Sequence, residues 1–423
     1  MCVIIKKSPQ GGRSMFSIPQ VFANEDESYI TLPALRRFAK EKKQSDLKTT
    51  VDRAELIRDI EKFAQASPDN EEAVLEWLDQ VVVEGIKDVQ VKCINSESIT
   101  ELLFNDEFLK AKLETLLLPE TKRHLNGQYT EELKLFRYRI VTSSPQGRSV
   151  KLYLGKLLCT FDKKSHTSST ILYPIFVEVY IDKALIVTRA KSKSGLFKYM
   201  KDFLLETADT TTVEKQIEES VKMVCGWLNI TTLSSASSNP QFKKLLYSML
   251  EKYTQTPTEI ADLMTAKAGQ IENVVNCIMS DICNLTPKHR EDVSSSILNM
   301  IEKYFSISYS NKKIFTQERD AYPLKLAATD EEESKVEQTA AMEEPLQSKA
   351  IFFDNKKMLQ KNQACDGVVF KFKRINPLYC SKWFKVKIII KKDCCTLKFT
   401  EYTMEEDIIN VLFSFIGTEG TAE

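Results

Sequence analysis

Glycine and proline are sparse, 12 and 13 in 423 residues, which leaves few long flexible stretches and predicts a largely ordered chain. Histidine is scarcer still: His124, His166 and His289 are the only three, and no two stand at metal-ligand spacing. No glycine-rich phosphate-cradling loop occurs, which sets aside nucleotide hydrolysis of the common type. No apolar run reaches the ~18–20 residues that span a bilayer. The opening Met1-Cys2-Val3-Ile4-Ile5-Lys6-Lys7 is too short and too soon charged for a signal peptide. The ten cysteines include no CxxC pair. Cys159, Cys225, Cys277 and Cys283 lie in apolar periodic segments, where a free thiol behaves as a small hydrophobe. Together these absences predict free thiols in a reducing compartment, cytoplasmic or, in a eukaryote, nuclear, with no cofactor, no metal and no membrane partner.

The chain is 43% hydrophobic and 28% charged, enough for real cores in two or three domains. Its formal net charge is zero, yet the charge is segregated. Between Lys134 and Lys201 fourteen Lys and Arg face three acidic residues, a surplus of eleven. Between Val368 and Lys398 nine face Asp393 alone, a surplus of eight. Such blocks point to a polyanionic partner.

Hydrophobic periodicity predicts an α+β chain. A flexible arm over 1–27 leads to a helical module over 28–66 and a mainly helical segment over 67–132. From 133 to 208 the period changes to two, predicting a basic antiparallel sheet with Phe136, Tyr138 and Ile140 alternating against Arg137 and Arg139. A helical bundle over 209–326 follows, then an acidic linker over 327–350 and a small basic α/β unit over 351–423. Helix starts are expected at Asp52, at Ser67-Pro68, at Thr211 with Glu214, at Asn239-Pro240 and at Thr286-Pro287.

Leu35, Phe38, Leu47, the Arg53-Ala54-Glu55-Leu56-Ile57 run and Ile60 form a compact helix–extended–helix pattern. Over these thirty or so residues the chain resembles SAP-like nucleic-acid-binding modules. Thr49-Thr50 stands where such modules often carry a loop glycine. The resemblance implies phosphate contacts at Lys48, Arg53 and Arg58.

In alternating strands Arg137 and Arg139 share a face, as do Arg189 and Lys191, and Lys385 and Lys387. With Lys151, Lys193, Lys371 and Lys373 they are the candidate nucleic-acid contacts. Tyr138, Tyr153, Phe176, Tyr180 and Trp383 accompany them as candidate stacking surfaces. For catalysis the only candidates are Asp162 and Glu178, which fall as the acids of a restriction-type nuclease do, although Tyr180 stands where that pattern needs lysine.

Three readings follow. The first is a non-catalytic nucleic-acid-binding protein, with DNA and RNA both open and protein contacts made through the helical bundle. The second is a scaffold or effector subunit whose basic faces dock an acidic protein. The third is a metal-dependent nuclease in host defence. Against these stands a structural alternative, in which the acidic linker and the helices neutralise the basic faces within the molecule.

Overall fold

A computed structural model describes residues 16–18, 23, 29–42, 52–117, 130–162, 166–281, 286–329, 335–340, 343–378 and 380–417. The chain divides into two compact units, 1–83 and 84–423. Most of the expected N-terminal arm, and Lys48, lie outside the described residues.

Among the described residues of the first unit are three helices, α1 (Leu32–Glu41), α2 (Arg53–Ala66) and α3 (Pro68–Val81). Each starts on a side-chain cap: Thr31 accepts from the Ala34 amide, Asp52 from Glu55 and Ser67 from Asn70. Pro68 opens α3, where its missing N–H costs nothing. The apolar stripes bury Leu35, Phe38, Leu56, Ile60, Phe63, Val74, Trp77 and Leu78. Phe38 anchors them, with its ring centroid 4.6 Å from Trp77 and 6.1 Å from Phe63.

The second unit is built on one antiparallel sheet. Its strands are β1 (Lys87–Cys93), β2 (Lys134–Val141), β3 (Ser149–Asp162), β4 (Thr167–Tyr180), β5 (Leu185–Lys191), β6 (Leu196–Lys198), β7 (Thr210–Thr211), β8 (Ala321–Thr329), β9 (Lys335–Thr339), β10 (Gly367–Lys373), β11 (Trp383–Ile390) and β12 (Cys395–Phe399). The order is β7-β6-β3-β4-β5-β1-β12-β11-β10-β8-β9, and β2 also pairs with β3. The two basic blocks are therefore neighbouring halves of a single sheet. β1 joins them, pairing Val89 with Arg189 of β5 on one side and with Leu397 of β12 on the other.

Helices cover opposite faces of the two halves. On β2–β5, α4 (Asp106–Glu114) buries Leu109 and Leu113, and α5 (Val213–Leu228) buries Val213, Ile217, Val221, Val224 and Leu228, with Leu152, Leu154, Ile175, Val177 and Ile186. Beyond β1, α6 (Ser235–Tyr253), α10 (Ala350–Asn362) and α11 (Glu405–Ile416) cover the other face. There Phe242, Leu246, Phe352, Phe353, Ile408 and Phe415 pack with Phe370, Phe372, Phe384, Val386, Ile388 and Leu397.

The helices of 209–326 thus divide their work. α5 and α6 are spent on the sheet, whose apolar faces must be buried against another layer. α7 (Thr258–Ala266), α8 (Ala268–Asp281) and α9 (Pro287–Ser308) keep small cores of their own around Ile260 with Phe315 and around Ile271 with Ile297. Part of the expected acidic linker is also structured. Residues 327–329 end β8, and 335–339 form β9, a short strand at the sheet edge that buries Gln338 and exposes Glu337. A short, charged edge strand blocks further strand pairing. Among the described residues no helix is long and apolar enough to cross a membrane.

Candidate nucleic-acid interface

Partners opposite one another in an antiparallel sheet point to the same side, so the registers assign every candidate to a face. Arg139 lies opposite Lys151, Lys151 opposite Glu178, Phe176 opposite Arg189, Val89 opposite Arg189 and Lys87 opposite Lys191. Arg137, Arg139, Lys151, Arg189 and Lys191 therefore share one face. Val89 lies opposite Leu397, Leu397 opposite Ile388, and Lys398 opposite Lys387. Lys371 lies opposite Lys385, and Lys373 opposite Trp383. Lys371, Lys373, Lys385 and Lys387 consequently point to the other face. A single sheet surface does not carry both basic blocks.

The arginine face is neutralised from within. Arg189, 3% exposed, lies 3.4 Å from the Glu178 carboxylate and 3.5 Å from Glu405 at the start of α11. Burial opposes the Arg189 charge, and Glu405 and Glu178 outweigh it. Lys151 reaches Glu405 at 3.3 Å and Glu178 at 3.8 Å, while the Ser149 hydroxyl donates to Glu178 at 2.9 Å. Burial, then Glu178, pushes the Tyr180 phenol far up. Two cations thus meet two carboxylates in a closed set. Of this block, Arg139 is exposed, and Arg137, Lys191 and Lys193 are half-buried.

Lys87 completes this face. It is fully buried, its ammonium 5.3 Å from the Phe176 ring centroid. Burial, with Lys191 and Arg189 adding repulsion and Glu84 opposing it, lowers its pKa to about 7. Glu84 is itself engaged, accepting from the Tyr402 hydroxyl at 2.6 Å and the Glu405 amide at 3.2 Å. A lysine whose folded pKa lies below its unfolded value leaves the unfolded chain binding more protons between pH about 7 and 10.5. Wild-type stability is therefore expected to rise with pH across that window. Lys87→Met should raise stability at pH 7 by about 1–3 kcal/mol and flatten the rise. Urea denaturation at the two ends of the window checks this, and a flat wild-type profile would contradict it.

Among the described residues no helix packs over the lysine face of β8, β10, β11 and β12. Lys325 of β8 and Lys387 of β11 both lie opposite Val369 of β10, and Lys398 of β12 lies opposite Lys387. These three lysines form one cross-strand row. A second row runs Tyr322, Lys371, Lys385, and Lys373 stands beside Trp383. Lys325, Lys373 and Lys387 are exposed. The Tyr322 and Trp383 rings meet edge-on at 5.4 Å. Two pairs of lysines, Lys371 with Lys385 and Lys387 with Lys398, face each other directly, an arrangement that costs folding stability. Acidic side chains also reach this face: Glu343 pairs with Lys371 and Lys385, Asp88 lies 3.8 Å from Lys398, Asp393 pairs with Lys92 at 2.6 Å, and exposed Glu337 of β9 lies opposite Ala327. Lys325, Lys398, Tyr322 and Glu343 were not among the sequence candidates. Lys398 was counted in the basic block, but its alignment with Lys387 depends on the β11–β12 register.

In the first unit, the Arg53 guanidinium donates to the Ala23 carbonyl at 3.0 and 3.3 Å, and Arg58 is exposed. The two acidic candidates do not meet. Glu178 lies opposite Lys151 and Asp162 opposite Thr167, at far ends of the β3–β4 ladder. Eleven residues at ~3.3 Å each put them roughly 36 Å apart, on opposite faces. They do not hold one metal ion together. Among the described residues no three His, Cys, Asp or Glu side chains gather as metal ligands. The C-terminal thiols are spent singly: burial pushes Cys365 up to about 12, and Cys394 accepts from the Gln90 amide at 3.2 Å.

No protein-family model matches this sequence, and no curated protein is significantly similar to it.

Proposed function

We propose that the protein binds nucleic acid, without catalysis of its own, through the lysine face of β8, β10, β11 and β12. The observation that carries this is the pair of directly opposed lysine couples on a sheet face where Lys325, Lys373 and Lys387 are exposed. Like charges in register destabilise a sheet by a few tenths of a kcal/mol or more per pair; Glu343 offsets this at Lys371 and Lys385 and Asp88 in part at Lys398, and a phosphate backbone laid across the rows supplies the remaining negative charge. The row from Lys325 to Lys398 crosses three strand spacings, ~14 Å, about four base-pair rises of a duplex. Tyr322 and Trp383 border the rows, with Trp383 half-buried, so an unpaired base has an aromatic edge to meet. The arginine face enters this reading as internal structure, since Arg189 and Lys151 are satisfied by Glu178 and Glu405.

A salt titration of binding to labelled duplex and single-stranded oligonucleotides tests the proposal. Four to six phosphate contacts predict a log–log slope of about −4 to −5 on duplex DNA and a shallower one on single strands. Absence of binding to either at low salt would reject it.

A further inference from the structure

Glu343 belongs to the acidic stretch, yet its side chain lies on the lysine face. One carboxylate oxygen is 2.5 Å from the Lys371 ammonium, and the other pairs with Lys385. Tyr322 lies directly opposite Lys371 on the neighbouring strand. Two ammonium groups thus converge on a two-oxygen anion. The Glu343 backbone sits at φ 58°, in the left-handed region that a non-glycine residue rarely adopts.

We infer that Lys371 and Lys385 form a phosphate subsite of this face, which the Glu343 carboxylate occupies in the free protein and a backbone phosphate of nucleic acid takes over on binding. This rests on the nucleic-acid reading above. Carboxylate and phosphate both present two acceptor oxygens to a pair of ammonium donors. The exchange requires only that the Glu343 side chain swing into solvent, where it is already almost half exposed. Hydrogen bonds from Lys371 and Lys385 hold its carboxyl at about 2. A carboxylate with a depressed pKa keeps its pairing above its ordinary range and loses it only as pH falls through the folded value. Glu343 is therefore ionised at every working pH, and the subsite is emptied by ionic competition, not by protonation.

Anisotropy titrations of the full chain with labelled oligo-dT of about 20 nucleotides and with a duplex of about 20 base pairs test this. Glu343→Gln keeps the shape and removes the charge, and should bind about 3–10-fold tighter. Its salt slope on duplex should steepen by about 1–2, because two lysines then release counterions that Glu343 had replaced. The gain should be equal at pH about 5.5 and 8. It should vanish when Lys371→Ala and Lys385→Ala are added to Glu343→Gln. If wild type binds but Glu343→Gln matches it in affinity and slope, the subsite is wrong and the broader reading stands. If neither protein binds, both fail.

Discussion

Replacing Arg189 by alanine should lower the unfolding free energy by about 3–5 kcal/mol. The guanidinium is 3% exposed, and its removal leaves the Glu178 and Glu405 carboxylates facing each other beside Lys151 alone. Coulomb attraction in a buried pair roughly offsets the loss of water, but a single charge left behind has no such offset. Glu178→Ala should cost a similar amount, because it strips Arg189 and Ser149 of their common acceptor. The double variant Arg189→Met with Glu178→Leu should cost less than the sum of the two alanine variants, since it removes one charge of each sign together. Urea denaturation of each variant gives the comparison. A cost under about 1 kcal/mol for Arg189→Ala would place this group at the surface, and with it the whole assignment of the arginine face to internal structure.

Reversing the lysine row should have the largest effect on binding. Lys325→Glu, Lys387→Glu and Lys398→Glu together remove three phosphate contacts and set three like charges against the backbone. At about 0.1 M salt, affinity for a duplex is expected to fall at least 100-fold. Stability should change by no more than about 1 kcal/mol, because Lys325 and Lys387 are exposed, Lys398 is half-buried, and a surface pair such as Lys398 with Asp88 contributes little. Binding and folding are thus separable at these three positions, which they are not at Arg189.

Local patterns were readable from the sequence wherever neighbouring residues decide the structure. Asp52, Ser67 and Thr286 cap their helices as their spacing implies, and Thr286 forms a capping box with His289. The helix at α5 starts one residue later than expected, on Thr212, because Thr211 is drawn into β7. α6 begins at Ser235, ahead of Asn239, and carries Pro240 inside it. The α+β class and the antiparallel strands were legible for the same reason, as period-two segments with short turns. The joining of the two basic blocks was not legible, because it depends on β1 pairing with strands about 100 and 300 residues away. The opposed faces follow from that register and from nothing within either block. One sign of Arg189's burial was present: it continues the parity of Leu185 and Val187, both fully buried, along a strand enclosed on both sides. Glu343 could be seen as acidic but not as a neighbour of Lys371, since β8, β9 and the edge of the sheet bring the two together.

The most direct test compares two charge reversals in one titration. Wild type, the Lys325→Glu/Lys387→Glu/Lys398→Glu variant and an Arg137→Glu/Arg139→Glu variant are measured against the same labelled duplex at about 0.1 M salt. The lysine variant should lose at least about 100-fold in affinity and the arginine variant less than about threefold. The reverse order, with binding lost on the arginine face and kept on the lysine face, would contradict the account.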